Sequence, residues 1–211
     1  MKLRIILSLT VVCIVCAFLL SWVYQALTPK IEKDKSQKLG ILLMEVSFPD
    51  AREYKVSQED TLFWVAYDSL RNPIGSAKFG EIIQDTLWAV FDTLEEQIGI
   101  VFKVFPKGYG GPIETLVSLG IDTTITGIRP ATPSEGLKET PGLGVKVAEK
   151  WFKNQFIGKK ESDVLLKKDG GPIDAITAAT ISSRAVTNGV REGIEKYKKY
   201  LSNQAINQPS Y

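Results

Sequence analysis

Histidine is absent from this chain of 211 residues. Its absence excludes Ser-His-Asp and Cys-His catalysis, His-ligated zinc, iron or haem, and any imidazole acid or base working near neutral pH. Cysteine is scarce as well: the two present, Cys13 and Cys16, cannot complete a four-thiolate zinc or iron–sulfur site. An excess of one charge is missing too. Lys plus Arg number 26 against 24 Asp plus Glu, whereas a protein that neutralises many phosphates shows a basic surplus, so nucleic acid is not the expected partner. No Ser-x-x-Lys spacing occurs, which leaves a Ser/Lys hydrolase without its motif. Reactive chemistry must therefore come from a borrowed cofactor, or from Ser, Thr, Tyr, Lys and carboxylates.

The apolar residues are unevenly placed. From Ile5 to Pro29 no residue carries a formal charge, and Arg4 and Lys30 bound the run. About 20 apolar residues cross a bilayer core as a helix, so Ile5–Tyr24 is expected to be a membrane anchor, with Trp22 and Tyr24 at the interface. A cleaved signal peptide would have a shorter apolar centre and a small-x-small cleavage site, which Ser21-Trp22-Val23-Tyr24 does not offer. Cys13 and Cys16 share one helix face within the span and read as small apolar residues. Lys30, Lys33, Lys35 and Lys38 outnumber Lys2 and Arg4, a count that leans towards an external N-terminus.

Between Leu62 and Lys107 the pattern is that of β-structure. Phe63–Asp68 and Leu87–Asp92 are aromatic and β-branched runs, each followed by a polar stretch and an Ile-Gly pair. Trp64/Trp88, Asp68/Asp92, Leu70/Leu94, Ile74/Ile98 and Gly75/Gly99 align, which predicts two hairpins with similar turns. Thr115–Leu119 and Thr123–Arg129 read as further strands, and Val145–Phe156 as a helix with Val147, Trp151 and Phe152 on one side. Lys167–Gly171 reads as a turn. A last helix is expected from about Ser182 to Leu201, with Val186, Val190, Ile194, Tyr197 and Leu201 on its apolar face. The expected fold is α+β: an antiparallel sheet domain with packed helices, preceded by one N-terminal transmembrane helix. Residues 1–30 form the anchor, 31–40 a juxtamembrane linker and 41–211 the domain.

Three segments exceed what core and surface alone require. Gly108-Tyr109-Gly110-Gly111-Pro112-Ile113 is a tight turn or a backbone built for close approach. Glu139-Thr140-Pro141-Gly142-Leu143-Gly144 presents Leu143 as an apolar tip between flexible residues, able to meet the core or a flat ligand. Asp174-Ala175-Ile176-Thr177-Ala178-Ala179-Thr180-Ile181-Ser182-Ser183 leads into the last helix, where Ser182 or Ser183 could cap it. The same helix start would welcome a phosphate beside the Thr180 hydroxyl.

Taken together, these segments resemble the covalent-FMN domain family, which includes the Rnf electron-transport complex's G-type component and the C-type component of the sodium-pumping NADH:quinone reductase. The family signature is approximately Asp-x-x-(Ser/Thr)-Gly-Ala-Thr-x-(Thr/Ser); Asp174, Thr177, Ala179, Thr180 and Ser182 satisfy it, and Ala178 stands where the glycine would be. The Gly-Tyr-Gly-Gly and Glu-Thr-Pro-Gly-Leu-Gly segments match in order, as do Trp151 and Phe156-Ile157-Gly158-Lys159. Length and layout look closer to the Rnf G-type component.

The resemblance implies FMN joined through its phosphate to Thr180 by a separate flavin transferase. Thr140–Leu143 would lie against the isoalloxazine with Leu143 on the ring, flanked by Glu139, Gly142 and Gly144. Asp174 and Thr177 would organise the attachment loop with Ala178 and Ala179. Two departures stand out: Ala178 replaces glycine, and Leu137 stands where the family often has His. The implied role is a single-span membrane subunit relaying electrons between ferredoxin and NAD in an ion-translocating complex. Such a subunit is not a complete enzyme alone, and its partners are the other membrane subunits and lipid. The family places the domain outside the cytoplasm with the N-terminus inside, against the lean of the lysine count. A C-type quinone-reductase component is one alternative, and a non-redox assembly or regulatory module of the same fold is another, favoured by Ala178.

Overall fold

The structure, a computed structural model, describes residues 2–57 and 63–201, with the side chains of 2–13 and 25–33 outside that description. Leu62, the expected start of the β region, also lies outside it. The chain divides into two units, Met1–Gly40 and Ile41–Tyr211. In the first, residues 2–40 belong to α1 (Lys2–Ser47). The expected anchor Ile5–Tyr24 is helical, and among the described residues no helix is long and apolar enough to cross a membrane.

The second unit is built on a seven-stranded antiparallel meander: β1 (Glu53–Val56), β2 (Trp64–Tyr67), β3 (Pro73–Ile83), β4 (Leu87–Phe91), β5 (Gln97–Val104), β6 (Thr115–Gly120) and β7 (Ile125–Pro130), each paired with the next. The expected pair of matching hairpins is present. In the β2–β3 turn Asp68 Oδ1 accepts the N–H groups of Leu70 and Asn72, both at 2.8 Å. In the β4–β5 turn Asp92 Oδ1 accepts those of Leu94 and Glu96, at 2.8 and 2.9 Å. Each turn ends on a left-handed residue, Arg71 or Glu95, and each is accompanied by a register shift. A third turn of this kind, at Asp122-Thr123-Thr124, joins β6 to β7 and was not expected.

Both faces of the sheet are covered, which is why its central strands are apolar without alternation. One face carries Val101, Leu116, Ser118, Gly127 and Arg129 and receives the end of α1. The Val46 carbonyl lies where a Gly127 side chain would begin, and Leu43, Met44 and Val46 are buried there. On the other face Ile100, Phe102, Val117, Leu119 and Ile128 join Val186, Val190, Ile194 and Tyr197 of α3 (Thr180–Tyr197) in the main core. Gly193 lets α3 sit against Phe102.

The continuous helix expected over Val145–Phe156 is replaced by a 3-10 turn, Gly144–Ala148, and a single α-turn, α2 (Lys150–Lys153). Glu149 between them is extended, with φ −72° and ψ 146°. The break delivers Val147, Phe152 and Phe156 to one core, while Trp151 stays half exposed with its Nε1–H donating to the Glu149 carboxylate. The last helix starts at Thr180, two residues before its expected start, and finishes as a 3-10 turn through Leu201.

The end of α1 is fastened by an ionic cluster. Arg129 donates Nε to Glu45 at 2.7 Å and holds both Glu135 oxygens, at 2.7 and 3.1 Å. The Arg129 hydrogen bonds outweigh burial and, helped by the Thr132 N–H and hydroxyl, draw the Glu135 carboxyl down to about 2. A lowered folded value stabilises the native state above the ordinary carboxylate range, and that contribution disappears as pH falls towards 2. Screening at a side chain exposed by about a third limits it to about 1 kcal/mol. Glu135→Gln is therefore expected to lose about that much stability at pH 7 and to flatten the decline between pH 4.5 and 2 in urea titrations.

Candidate functional site

The three segments singled out in the sequence converge on one cavity of about 520 Å³. Its wall comprises Tyr109 from the first; Glu139, Thr140, Leu143 and Gly144 from the second; and Ala178, Ala179, Thr180, Ile181 and Ser182 from the third. Chain order separates these segments widely. They meet because β5 and β7 end on the same side of the sheet, and α3 begins beside the loops that follow them.

Glu139 joins all three. Its side chain is buried, and Oε1 accepts the Gly110 N–H at 3.1 Å while Oε2 accepts the Ser182 hydroxyl at 2.7 Å. Gly108 and Gly144 leave the space its carboxylate occupies, since a Cβ on either would collide with it. The loop beyond Glu139 turns back through Gly142, at φ 75°, and Leu143 N–H donates to the Thr140 carbonyl at 3.2 Å. Leu143 is left partly exposed at the cavity wall.

The third segment is a tight turn running into a helix. Ala179 N–H closes on the Ile176 carbonyl at 3.0 Å, and Ala178, third residue of that turn, has φ 63°. A turn with positive φ at this position favours glycine. Alanine holds this left-handed conformation at a cost in strain that glycine would not bear. Ser183 stitches the turn to the helix, its Oγ accepting the Ile176 N–H and donating to the Ala179 carbonyl, both at 2.9 Å. Neither Ser182 nor Ser183 caps α3, contrary to expectation: Ala179 is the N-cap, with no side-chain cap bond. The first intrahelical bond is Ser183 N–H to Ala179, so the N–H groups of Thr180, Ile181 and Ser182 are the orphan donors of the helix start.

Hydroxyls near the cavity differ sharply in availability. Ser182 is buried and committed to Glu139. Thr177 is exposed and does not line the cavity. Thr180 is half-buried, lines it, and makes no side-chain hydrogen bond among the described residues. Asp174 and Gly142 are also off the wall. The Asp174 carboxylate pairs with Lys167 at 2.8 Å, and Gln155 holds its backbone N–H at 2.7 Å, so it braces the approach to the turn. Sequence reasoning left Tyr109, Ile181 and Ser182 off the site. Tyr109 was legible as the one side chain between glycines of a loop already singled out. Leu137 is buried in the core.

The cavity suits FMN. Tyr109, Leu143 and Ile181 give apolar surface for a flat ring, Ala178 and Ala179 leave room, and the start of α3 offers N–H donors and a positive dipole end to a phosphate. Among the described residues the wall has no Lys or Arg, and its one carboxylate is engaged.

The FMN-binding domain family matches residues 108–195, which reach from the glycine loop into α3. The G-type component of the proton-translocating ferredoxin:NAD(+) oxidoreductase complex of Clostridium ljungdahlii is 32% identical over 141 residues, covering 65% of this chain and 74% of that one. The G-type component of the ion-translocating oxidoreductase complex of Buchnera aphidicola subsp. Schizaphis graminum is 29% identical over 174 residues, covering 75% of this chain and 84% of that one. Among solved structures, NqrC of Shewanella oneidensis is similar at 19% identity and a TM-score of 0.44, covering 74% of this chain and 73% of that one.

Ala178→Gly should raise stability by about 1 kcal/mol by relieving the left-handed strain, read as a higher urea midpoint with an unchanged slope. Glu139→Ala should cost about 2–4 kcal/mol, because it strands the Gly110 N–H and the Ser182 hydroxyl. Glu139→Gln should cost about 1 kcal/mol, since its amide can serve Gly110 with oxygen and Ser182 with nitrogen once the serine turns to accept. Equal losses for the two variants would contradict the joining role.

Proposed function

The chain belongs to the family of G-type components of ion-translocating oxidoreductase complexes, and on that premise we propose that it carries FMN as a phosphoester on the Thr180 hydroxyl and relays electrons within such an assembly. The observation that carries the reading is the state of Thr180: the one threonine at the start of α3, on the cavity wall, with its hydroxyl uncommitted among the described residues. The same hydroxyl lies at a helix end that favours negative charge. A diester carries one negative charge and free FMN phosphate nearly two. A wall without cations suits the former better, which is a physical reason for tethering the cofactor covalently.

FMN supplies one- and two-electron redox chemistry when bound. The chain supplies the rest. Leu143, Tyr109 and Ile181 offer apolar contact that excludes water, the α3 N–H groups hold the phosphate, and Glu139 fixes the three segments around it. The partners in this reading are the other subunits of the complex, with a flavin transferase making the ester during maturation. Ile5–Tyr24 is proposed as a single membrane span within residues 1–30, with residues 31–40 a linker and 41–211 the FMN-binding domain on the extracytoplasmic side. The uncharged run from Ile5 to Pro29 supports the span.

Protein purified with its complex should yield a Thr180 peptide heavier by the mass of bound FMN, and an unmodified peptide would overturn the assignment. Thr180→Ala should lose bound flavin even with FMN added, yet keep its unfolding free energy within about 0.5 kcal/mol. Thr180→Ser should retain some covalent flavin.

A further inference from the structure

A second cavity, of about 290 Å³, lies where the end of α1 meets β1, β7 and α2, and it shares no residue with the Thr180 cavity. Its wall is cationic. Arg52 enters it from just before β1, and Lys150 and Lys153 from the two ends of α2. Glu45 is the one carboxylate among the described wall residues, and it is already engaged. Its Oε2 accepts Arg129 Nε at 2.7 Å, and its Oε1 stands 3.7 Å from Lys153 Nζ. The Arg52 and Lys150 side chains make no hydrogen bond or ion pair among the described residues. Acids near the rim have other partners: Glu53 pairs with Lys55 at 2.8 Å, Glu135 with Arg129, and Glu149 with the Trp151 Nε1–H. Asp50 lies off the wall on the Tyr54 side; burial, with Glu45 and Asp50, pushes the Tyr54 phenol up to about 12. That phenol stays neutral and donates its O–H to the Phe48 carbonyl at 3.1 Å.

Three cations thus face one shared carboxylate across a single cleft. Their mutual repulsion is a cost that a bound anion removes. A guanidinium fork matches phosphate oxygens, an ammonium group meets them as a point charge, and the Asn154 amide on the same wall adds a neutral donor. Ile157, also on the wall, offers apolar surface to an organic group bearing the phosphate. The volume lies close to the lower end of small-molecule clefts, about 300 Å³. We propose that this cleft binds a phosphoryl group, held by Arg52, Lys150 and Lys153. The group belongs either to the headgroup of an anionic lipid or to a soluble phosphorylated molecule; the recognition chemistry is the same. The proposal stands apart from the FMN reading, since neither its residues nor its ligand depend on Thr180.

The test uses the full chain in a neutral detergent at constant ionic strength. It is titrated with inorganic phosphate, with glycerol phosphate and with phosphatidylglycerol carried in the micelles, reading melting temperature and heat of binding. Phosphate should raise the melting temperature beyond what matched chloride does. Arg52→Gln with Lys150→Gln should weaken phosphate binding about tenfold or more, yet melt no lower than the parent in phosphate-free buffer, because it relieves repulsion. Lys107→Gln with Lys168→Gln removes the same charge elsewhere on the surface and should bind phosphate as the parent does. Tighter binding of phosphatidylglycerol than of glycerol phosphate supports the site with a lipid as its source. Equal or weaker binding supports it with a soluble one. No protection beyond chloride by any of the three probes would overturn the site. So would equal weakening in the two double variants, an undiminished response in Arg52→Gln with Lys150→Gln, or a lower melting temperature for that variant without phosphate.

Discussion

A single buried carboxylate holds the site together. Glu139 accepts a backbone N–H from the glycine loop after β5 and a hydroxyl from the first turn of α3, while belonging itself to the loop after β7. A buried polar group is tolerated only when its atoms have partners, and here both oxygens accept hydrogen bonds. The requirement spreads outward. Gly108 and Gly144 must lack side chains to admit the carboxylate, and Gly110 must lack one to lie against the Lys138 carbonyl. Glycines that look like loose turn residues in the sequence are thus the complement of one buried, hydrogen-bonded carboxylate.

The site is arranged around what Thr180 is spared. Ser182, Ser183 and Thr187 all spend their hydroxyls inside the protein, on Glu139, on the Ile176–Ala179 turn and on the Ser183 carbonyl. Thr180 precedes them in the helix and keeps its hydroxyl for the cavity. The turn at Ala178 bears the strain of this arrangement, a left-handed alanine where the signature has glycine.

Much of the architecture was legible in advance. The two hairpins aligned residue for residue because each depends on one aspartate side chain closing its own turn, a local interaction. The end of α3 and its core face followed from a simple period. The reading over Val145–Phe156 failed because its apolar residues reach the core through two short turns about an extended Glu149, and periodicity does not register such a break. The serine caps failed for a related reason: propensity says what a serine could do at a helix start, whereas distant Glu139 and the Ile176 N–H determine what Ser182 and Ser183 do.

The sequence by itself narrowed the chemistry and marked the candidate motifs: without histidine or adequate cysteine it falls to a borrowed cofactor or to Ser, Thr, Tyr, Lys and carboxylates, and three glycine- or hydroxyl-rich segments stood out. Only the tertiary structure decided that those segments share one cavity, that Thr180 lines it while Thr177 lies off it and Ser182 is committed to Glu139, and that Glu139 is the bond between them. The division follows from range. Composition and turn chemistry act among neighbours along the chain, whereas a carboxylate's choice of donors is made across the fold, after the strands have brought remote loops side by side.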